Sequence, residues 1–324
     1  MFASAWGADE NPAKKDASDA AATVWVEDGD LRVLLRDNSQ SPRILSGAQS
    51  LFHRRDAADF DAYDPDTQGA SAGLNFEHII AGHSTPANRF TPRHGTYTIE
   101  ALAGGRAARL TRKATDGPWK VDSTLTYTVS EPHYLDVDFR CRPRDAKLFG
   151  ERRYGIFFFA NYMNDVADVA LHFRGLEKAG AQEGWVSGDA PKTHPDWVRG
   201  GTYRAATAPP LAYDEDHNFK LNVWSYDYPR LTKPFYYGRA ANDMVFIIMF
   251  DRMVTKDDEI RFSLFKFKLP KKPRPAWDFQ YVIHRVEEDK EYGFRARVVW
   301  KKFRSPDDCL EEYERWERRR PSDL

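Results

Sequence analysis

Two short stretches combine the side chains that acid–base chemistry needs. Leu74-Asn75-Phe76-Glu77-His78 sets a carboxylate beside an imidazole, and Thr91-Pro92-Arg93-His94-Gly95 follows with a guanidinium and a second imidazole. A histidine titrating near neutrality can take or give a proton during bond cleavage, and an arginine can clamp a carboxylate or steady developing negative charge. Read as a strand, residues 75–80 place Asn75 and Glu77 on one face and His78 on the other. The plainer alternative is that these residues bond loop backbone and fix the long 37–92 segment.

A second group is denser in rings. Trp224-Ser-Tyr226-Asp227-Tyr228-Pro-Arg230 runs on through Phe235-Tyr236-Tyr237-Gly238-Arg239. Flat rings can stack on the C–H faces of pyranoses while arginine and aspartate take the hydroxyls, so this stretch suits a sugar-binding cleft. A well-packed connection with its tyrosine hydroxyls bonded to backbone is the competing reading. Two strand exits add Asp251 and Arg252 after the apolar run Met244–Phe250, and Asn161 with Asn164 after Phe159. An aspartate where a buried strand emerges can act as a general acid with a raised pKa. The candidate catalytic set is Glu77, His78, His94, Tyr236, Tyr237 and Asp251. Asn75, Arg93, Asn161, Trp224, Tyr228, Arg230, Arg239 and Arg252 are the candidate substrate contacts.

Other chemistries find no support. No phosphate-cradling glycine loop, HExxH or GxSxG motif occurs, so no cofactor is expected. His133, His172 and His284 sit inside strand patterns and read as structural. No histidine pair has ligand spacing and the chain has only 2 cysteines, Cys141 and Cys309, so no metal is expected. Cys141 lies on the apolar face of an alternating stretch, which favours a buried free thiol.

The elements that must position these residues are strands. Asp28-Gly29-Asp30 between Thr23–Glu27 and Leu31–Arg36 is a hairpin turn. Ser123–Val129 puts Leu125, Tyr127 and Val129 on one face and threonines on the other, and residues 134–142 alternate likewise after Glu131-Pro132. In Glu259–Leu269 the apolar parity changes between Leu264 and Phe265, which predicts a bulge or a crossing between sheets. One helix ends the chain, with Ser305 as N-cap, Pro306 in its first turn and Asp308 completing a capping box. The expected fold class is all-β: a large antiparallel two-sheet (super)sandwich with a C-terminal helix. Residues 1–22 are expected to be loose, 23–304 to form the sandwich and 305–320 the helix packed on it. Residues 37–92 are the weakly patterned part, read either as a functional loop or as an excursion that covers a sheet edge.

Charge narrows the partners. Lysine plus arginine total 48 against 49 acidic residues, a balance that argues against polyanionic nucleic acid. No segment approaches the run of about 20 apolar residues that spans a membrane. The small residues of Met1–Ala8 resemble the end of a secretory signal, so export is the expectation. Oligomeric state leaves no mark in the sequence.

The strand layout of residues 95–303, chiefly Met244–Leu269 and Phe279–Phe303, resembles the β-supersandwich proteins related to galactose mutarotase. Sandwich domains of polysaccharide lyases and some glycosidases belong to that group. The resemblance is one of organisation and implies a sugar cleft on one sheet. It carries over no catalytic residue. Two readings follow: an enzyme that cleaves glycosidic bonds by hydrolysis or elimination, and a carbohydrate-binding protein without catalysis.

Overall fold

The computed structural model describes residues 22–39, 45–64, 72–83, 90–92, 95–189, 199–208, 228–251, 258–267 and 274–318. Two antiparallel sheets face each other. The first runs β1 (Thr23–Asp28), β2 (Leu31–Arg36), β3 (Gly47–His53), β4 (Leu74–Ala81), β10 (Gly155–Asn161), β17 (Arg274–Ile283), β16 (Asp258–Phe267) and β13 (Arg199–Tyr203), with β5 (Phe90–Pro92) on β4. The second runs β12 (Gly184–Gly188), β11 (Leu171–Leu176), β14 (Arg230–Arg239), β15 (Met244–Phe250), β18 (Tyr292–Lys302), β9 (Tyr134–Pro143), β8 (Val121–Ser130), β7 (Ala107–Arg112) and β6 (Thr98–Ala101). Among the described residues each sheet has nine strands. The expected all-β two-sheet architecture with one C-terminal helix is the one observed.

Alternation explains the core. Leu125, Tyr127 and Val129 of β8, with Leu135, Val137 and Phe139 of β9, meet Phe157, Phe159, Phe279 and Tyr281 of the facing sheet. Their rings interlock, Phe159 stacking on Phe279 at 4.8 Å while Phe250 meets Phe279 edge-on at 4.7 Å. Such pairs add about 0.5–1.5 kcal/mol each to the burial of their apolar surface. Much of the chain's aromatic content thus sits between the sheets. Cys141 lies in this core and Cys309 under the helix, both as free thiols.

Close packing between β14 and the facing sheet needs a glycine. A Cβ on Gly238 would lie 2.5 Å from the Trp277 ring. Overpacking of this kind costs about 1–3 kcal/mol. Gly238→Ala should lower the urea midpoint at an unchanged denaturant slope; an unchanged midpoint would show that Trp277 yields freely.

The helix α1 (Pro306–Arg318) begins as expected, with the Asp308 amide donating to Ser305 Oγ at 3.1 Å. Cys309 and Tyr313 pack against Phe235, Tyr237, Val245, Ile247 and Met249 on the outward face of the second sheet. Glu312 locks the contact, accepting from Lys301 at 2.6 Å and from the Tyr134 hydroxyl at 3.0 Å. Among the described residues no helix is long and apolar enough to cross a membrane.

Two local expectations are corrected. Strand β16 pairs with β17 from Asp258 to Phe267 without a register shift, so no bulge or crossing occurs at 264/265. The parity change arises because the outward face of this sheet also buries apolar side chains, Phe265 among them. Within residues 37–92, β3 and β4 are integral strands of the first sheet, so much of that segment is framework.

Candidate functional site

The ladder of the first sheet has one irregularity at its centre. Phe158 pairs with His78, but Phe159 pairs with Phe76, so Glu77 is an extra residue opposite that step. The bulge changes the facing inferred from strict alternation. His78 stacks on Phe158 at 4.5 Å, and Glu77 accepts from the Tyr162 hydroxyl at 3.0 Å. Phe158 and Tyr162 belong to one outward-facing cluster, so Glu77 and His78 lie on the same side, pointing away from the second sheet.

Strand register builds the rest of that face. One cross-strand row reads His78, Phe158, Gln280, Arg261. The next, two residues along, brings Asp278, Ser263 and Thr202 side by side. Directly paired side chains stand about 5 Å apart. These polar rows lie between apolar groups on the same face: Ile80, Tyr154, Ile156 and Val282 at one end, Ala160, Tyr162, Phe265 and Ala276 at the other.

The strip is polar yet buried. Asp278 is 1% exposed, Gln280 0% and Glu77 8%. Asp278 Oδ1 accepts the Asn161 backbone N–H at 2.9 Å. Burial pushes the Asp278 carboxyl well above the usual range, and the charge of Glu77 pushes it further. Gln280 donates to Thr202 and Ser263 at 3.4 and 3.3 Å, while its Oε1 has no partner among the described residues. At the β13 side two guanidinium groups share one carboxylate. Arg204 and Arg261 reach Glu259 at 3.1 and 3.2 Å, and His284 stands 3.7 Å from it. Buried charges are costly unless paired, and these are paired.

Chemically, the strip sets a carboxyl whose proton affinity is raised by burial beside a second acid, Glu77. Neighbouring acids whose surroundings push their proton affinities apart can divide the roles of acid and base.

The other sequence candidates are dispersed. Asn75 is fully buried and donates to the Ala72 and Gly73 carbonyls at 3.0 and 3.2 Å, which ties it to its own turn. Asn161 lies at the end of β10 beside Met163 Sδ, 3.2 Å away. Tyr236 is sealed between the sheets with its hydroxyl donating to the Trp277 carbonyl at 2.6 Å. Tyr237 faces the opposite way, stacked on His172 at 4.8 Å in the layer under the helix. Arg239 covers Phe303 at 4.6 Å, and Arg230 lies 5.9 Å over the exposed Tyr228. Asp251 borders a separate hollow of about 270 Å³ on the second sheet, with Asp136, Asp138, Arg295, Arg297 and Trp316. Among the described residues, Glu77 and His78 therefore share no cleft with Tyr236 and Tyr237. The two tyrosines follow strand parity into two different apolar layers. Arg93, His94, Trp224 and Arg252 lie outside the described residues.

Asp278, Gln280, Arg204, Glu259 and Arg261 were not among the sequence candidates. Their one signal is polar alternation in strands too apolar to be half-solvated: Glu259, Arg261 and Ser263 between Ile260, Phe262 and Leu264, and Asp278 and Gln280 between Trp277, Phe279 and Tyr281.

No protein-family model matches the chain, and no curated protein matches it. Among solved structures it is similar to a 4-alpha-glucanotransferase from Thermococcus litoralis, at TM-score 0.43 and 8% identity over 88% of this chain and 38% of that one. It is also similar to a GalM/aldose epimerase homologue from C. elegans, at TM-score 0.42 and 9% identity over 88% of this chain and 100% of that one. The chain thus spans well under half the length of the glucanotransferase.

Proposed function

We propose that the chain binds a carbohydrate over the outward face of the first sheet and cleaves a glycosidic bond there. The observation that carries this is the Glu77–Asp278 pair. Asp278, kept protonated by burial and by its neighbour's charge, is suited to donate a proton to a leaving oxygen. Glu77, steadied by the Tyr162 hydroxyl, is the carboxylate that activates water or supports the developing positive charge. His78 stands beside it on the same face as a second proton carrier.

Incubation of the chain with neutral and uronate-containing glycans, followed by product mass, tests the reading. Hydrolysis adds one water across the cut, whereas elimination leaves an unsaturated product lighter by that water. Binding without any product would overturn cleavage and leave a carbohydrate-binding protein. Neither binding nor product across the panel would overturn the carbohydrate reading itself.

A further inference from the structure

At the rim of the sandwich, remote in sequence from the strip, three turns converge on a hollow of about 310 Å³. Asp30 comes from the β1–β2 turn, His53 from the end of β3, and His133 from the β8–β9 turn. Their donor atoms all lie within 4.8 Å of one another. His53 is 1% exposed. From these positions we infer that Asp30, His53 and His133 bind a divalent cation of the Zn²⁺ type, leaving a further coordination position open toward the hollow.

The geometry around each ligand supports this. His53 Nε2 and Asp30 Oδ2 are 3.9 Å apart, too far to hydrogen-bond and close to the separation of two donors sharing one ion. Tetrahedral zinc with bonds of about 2.0–2.1 Å holds its donors roughly 3.4 Å apart, so separations must shrink by up to about 1.4 Å to close the site. The other Asp30 oxygen is fixed by Arg55 at 2.9 Å, which orients the free one.

Both rings also have a carboxylate behind them. Asp56 lies 3.7 Å from His53 Nδ1, and Glu312 lies 3.6 Å from His133 Nε2. A carboxylate behind a metal-bound imidazole fixes its orientation and raises its basicity. In the metal-free chain His53 Nδ1 accepts the Asp56 backbone N–H at 3.1 Å, which puts the ring proton on Nε2. Binding through Nε2 moves that proton to Nδ1, which breaks the 3.1 Å bond from the Asp56 backbone N–H, so the ring must turn to donate to the Asp56 carboxylate 3.7 Å away. With Nε2–H turned to Glu312, His133 offers Nδ1. The turns are pre-set by backbone bonds, Asp30 N–H to the Pro132 carbonyl at 2.7 Å and Arg54 N–H to the Asp30 carbonyl at 2.7 Å. Of the cationic side chains lining the hollow, Lys301 and Arg315 bond Glu312 and Arg55 bonds Asp30, while Lys302 and Arg304 also border it. Two nitrogens and one oxygen favour Zn²⁺, Co²⁺ or Ni²⁺ over Mg²⁺ or Ca²⁺.

Calorimetric titration of the metal-free full chain with Zn²⁺ is the test, with Co²⁺ absorption as an independent view of the ligand field. One equivalent per chain is expected, and Mg²⁺ should not compete. His133→Gln and the near-isosteric Asp30→Asn should each weaken affinity by about tenfold or more. His172→Ala, at a distant histidine, should leave it unchanged. Thermal unfolding without metal reports whether each variant is folded, and added Zn²⁺ should raise the midpoint of the parent but not of the variants. No saturation up to about 1 mM Zn²⁺, a Kd that corresponds to only about 4 kcal/mol of binding, would overturn the assignment. So would equal binding by folded Asp30→Asn.

Discussion

Asp278→Asn is expected to lower turnover by about 10²–10⁴-fold, the range typical for loss of a general acid, while gaining stability relative to the parent as pH rises. Asparagine can keep the acceptor that Asp278 offers to the Asn161 amide. It has no acid proton to give. The stability change follows from the direction of the shift, since the buried carboxyl keeps its proton in the folded state well above its ordinary value of 3.8. Between that value and the folded one, the folded state binds more protons than the unfolded, so parent stability falls as pH increases. The contribution is fully present below the unfolded value and is lost as pH passes the folded one. The amide does not ionise, so the stability difference between variant and parent should widen as pH rises above about 4. Denaturant unfolding at several pH values, beside turnover on the substrate found in the glycan panel, checks both arms. A flat difference would show that Asp278 is not kept protonated, and retained turnover would remove it from the chemistry.

Glu259→Ala is expected to destabilise the chain by about 3–5 kcal/mol, the range for stripping one partner from a buried ion pair. Glu259 has a side-chain exposure of 6%, and the Arg204 and Arg261 side chains that converge on it are at 4% and 1%. Arg204 reaches both of its oxygens, at 3.1 and 3.5 Å, and Arg261 does so at 3.2 and 3.3 Å. Removing the carboxylate leaves two buried guanidinium groups to repel one another. Glu259→Gln should recover little, because its amide NH₂ presents a donor where the arginines need an acceptor. Urea unfolding at neutral pH measures the loss. A change below about 1 kcal/mol would mean that this carboxylate contributes little to holding the arginines, contrary to their geometry.

How much was legible in the sequence depended on whether polar residues faced water. The β1–β2 hairpin, the alternation of β8 and β9 and the Ser305 cap followed from local rules, and the structure has all three. In those strands one side is apolar and the other half-solvated, so period-two patterning has a single reading. The first sheet breaks that premise. Its outward face buries Phe265 beside Ser263 and Val282 beside Gln280, so polarity no longer marks solvent. The same failure hid Asp278 and made a continuous strand look phase-shifted at Leu264 and Phe265. Ring density misled at Phe235-Tyr236-Tyr237, because adjacent strand residues point to opposite sides and each side is an apolar layer. His133 was unreadable as a ligand for a different reason. Its neighbours in space, Asp30 and His53, are far away in the chain, and only the turn geometry brings the three together.

The extra residue in β4 also bears on how such a constellation can be recognised elsewhere. Glu77 and His78 point the same way only because one strand is a residue longer than its neighbour at that step. In an unbroken ladder the same dipeptide would drive one of the two into the hydrocarbon between the sheets. Consecutive ionisable side chains inside an otherwise greasy strand are therefore a searchable fingerprint of a pairing defect. A one-residue deletion there would close the break: Phe76 would stay opposite Phe159 and the imidazole opposite Phe158, with the ladder continuous and the carboxylate gone.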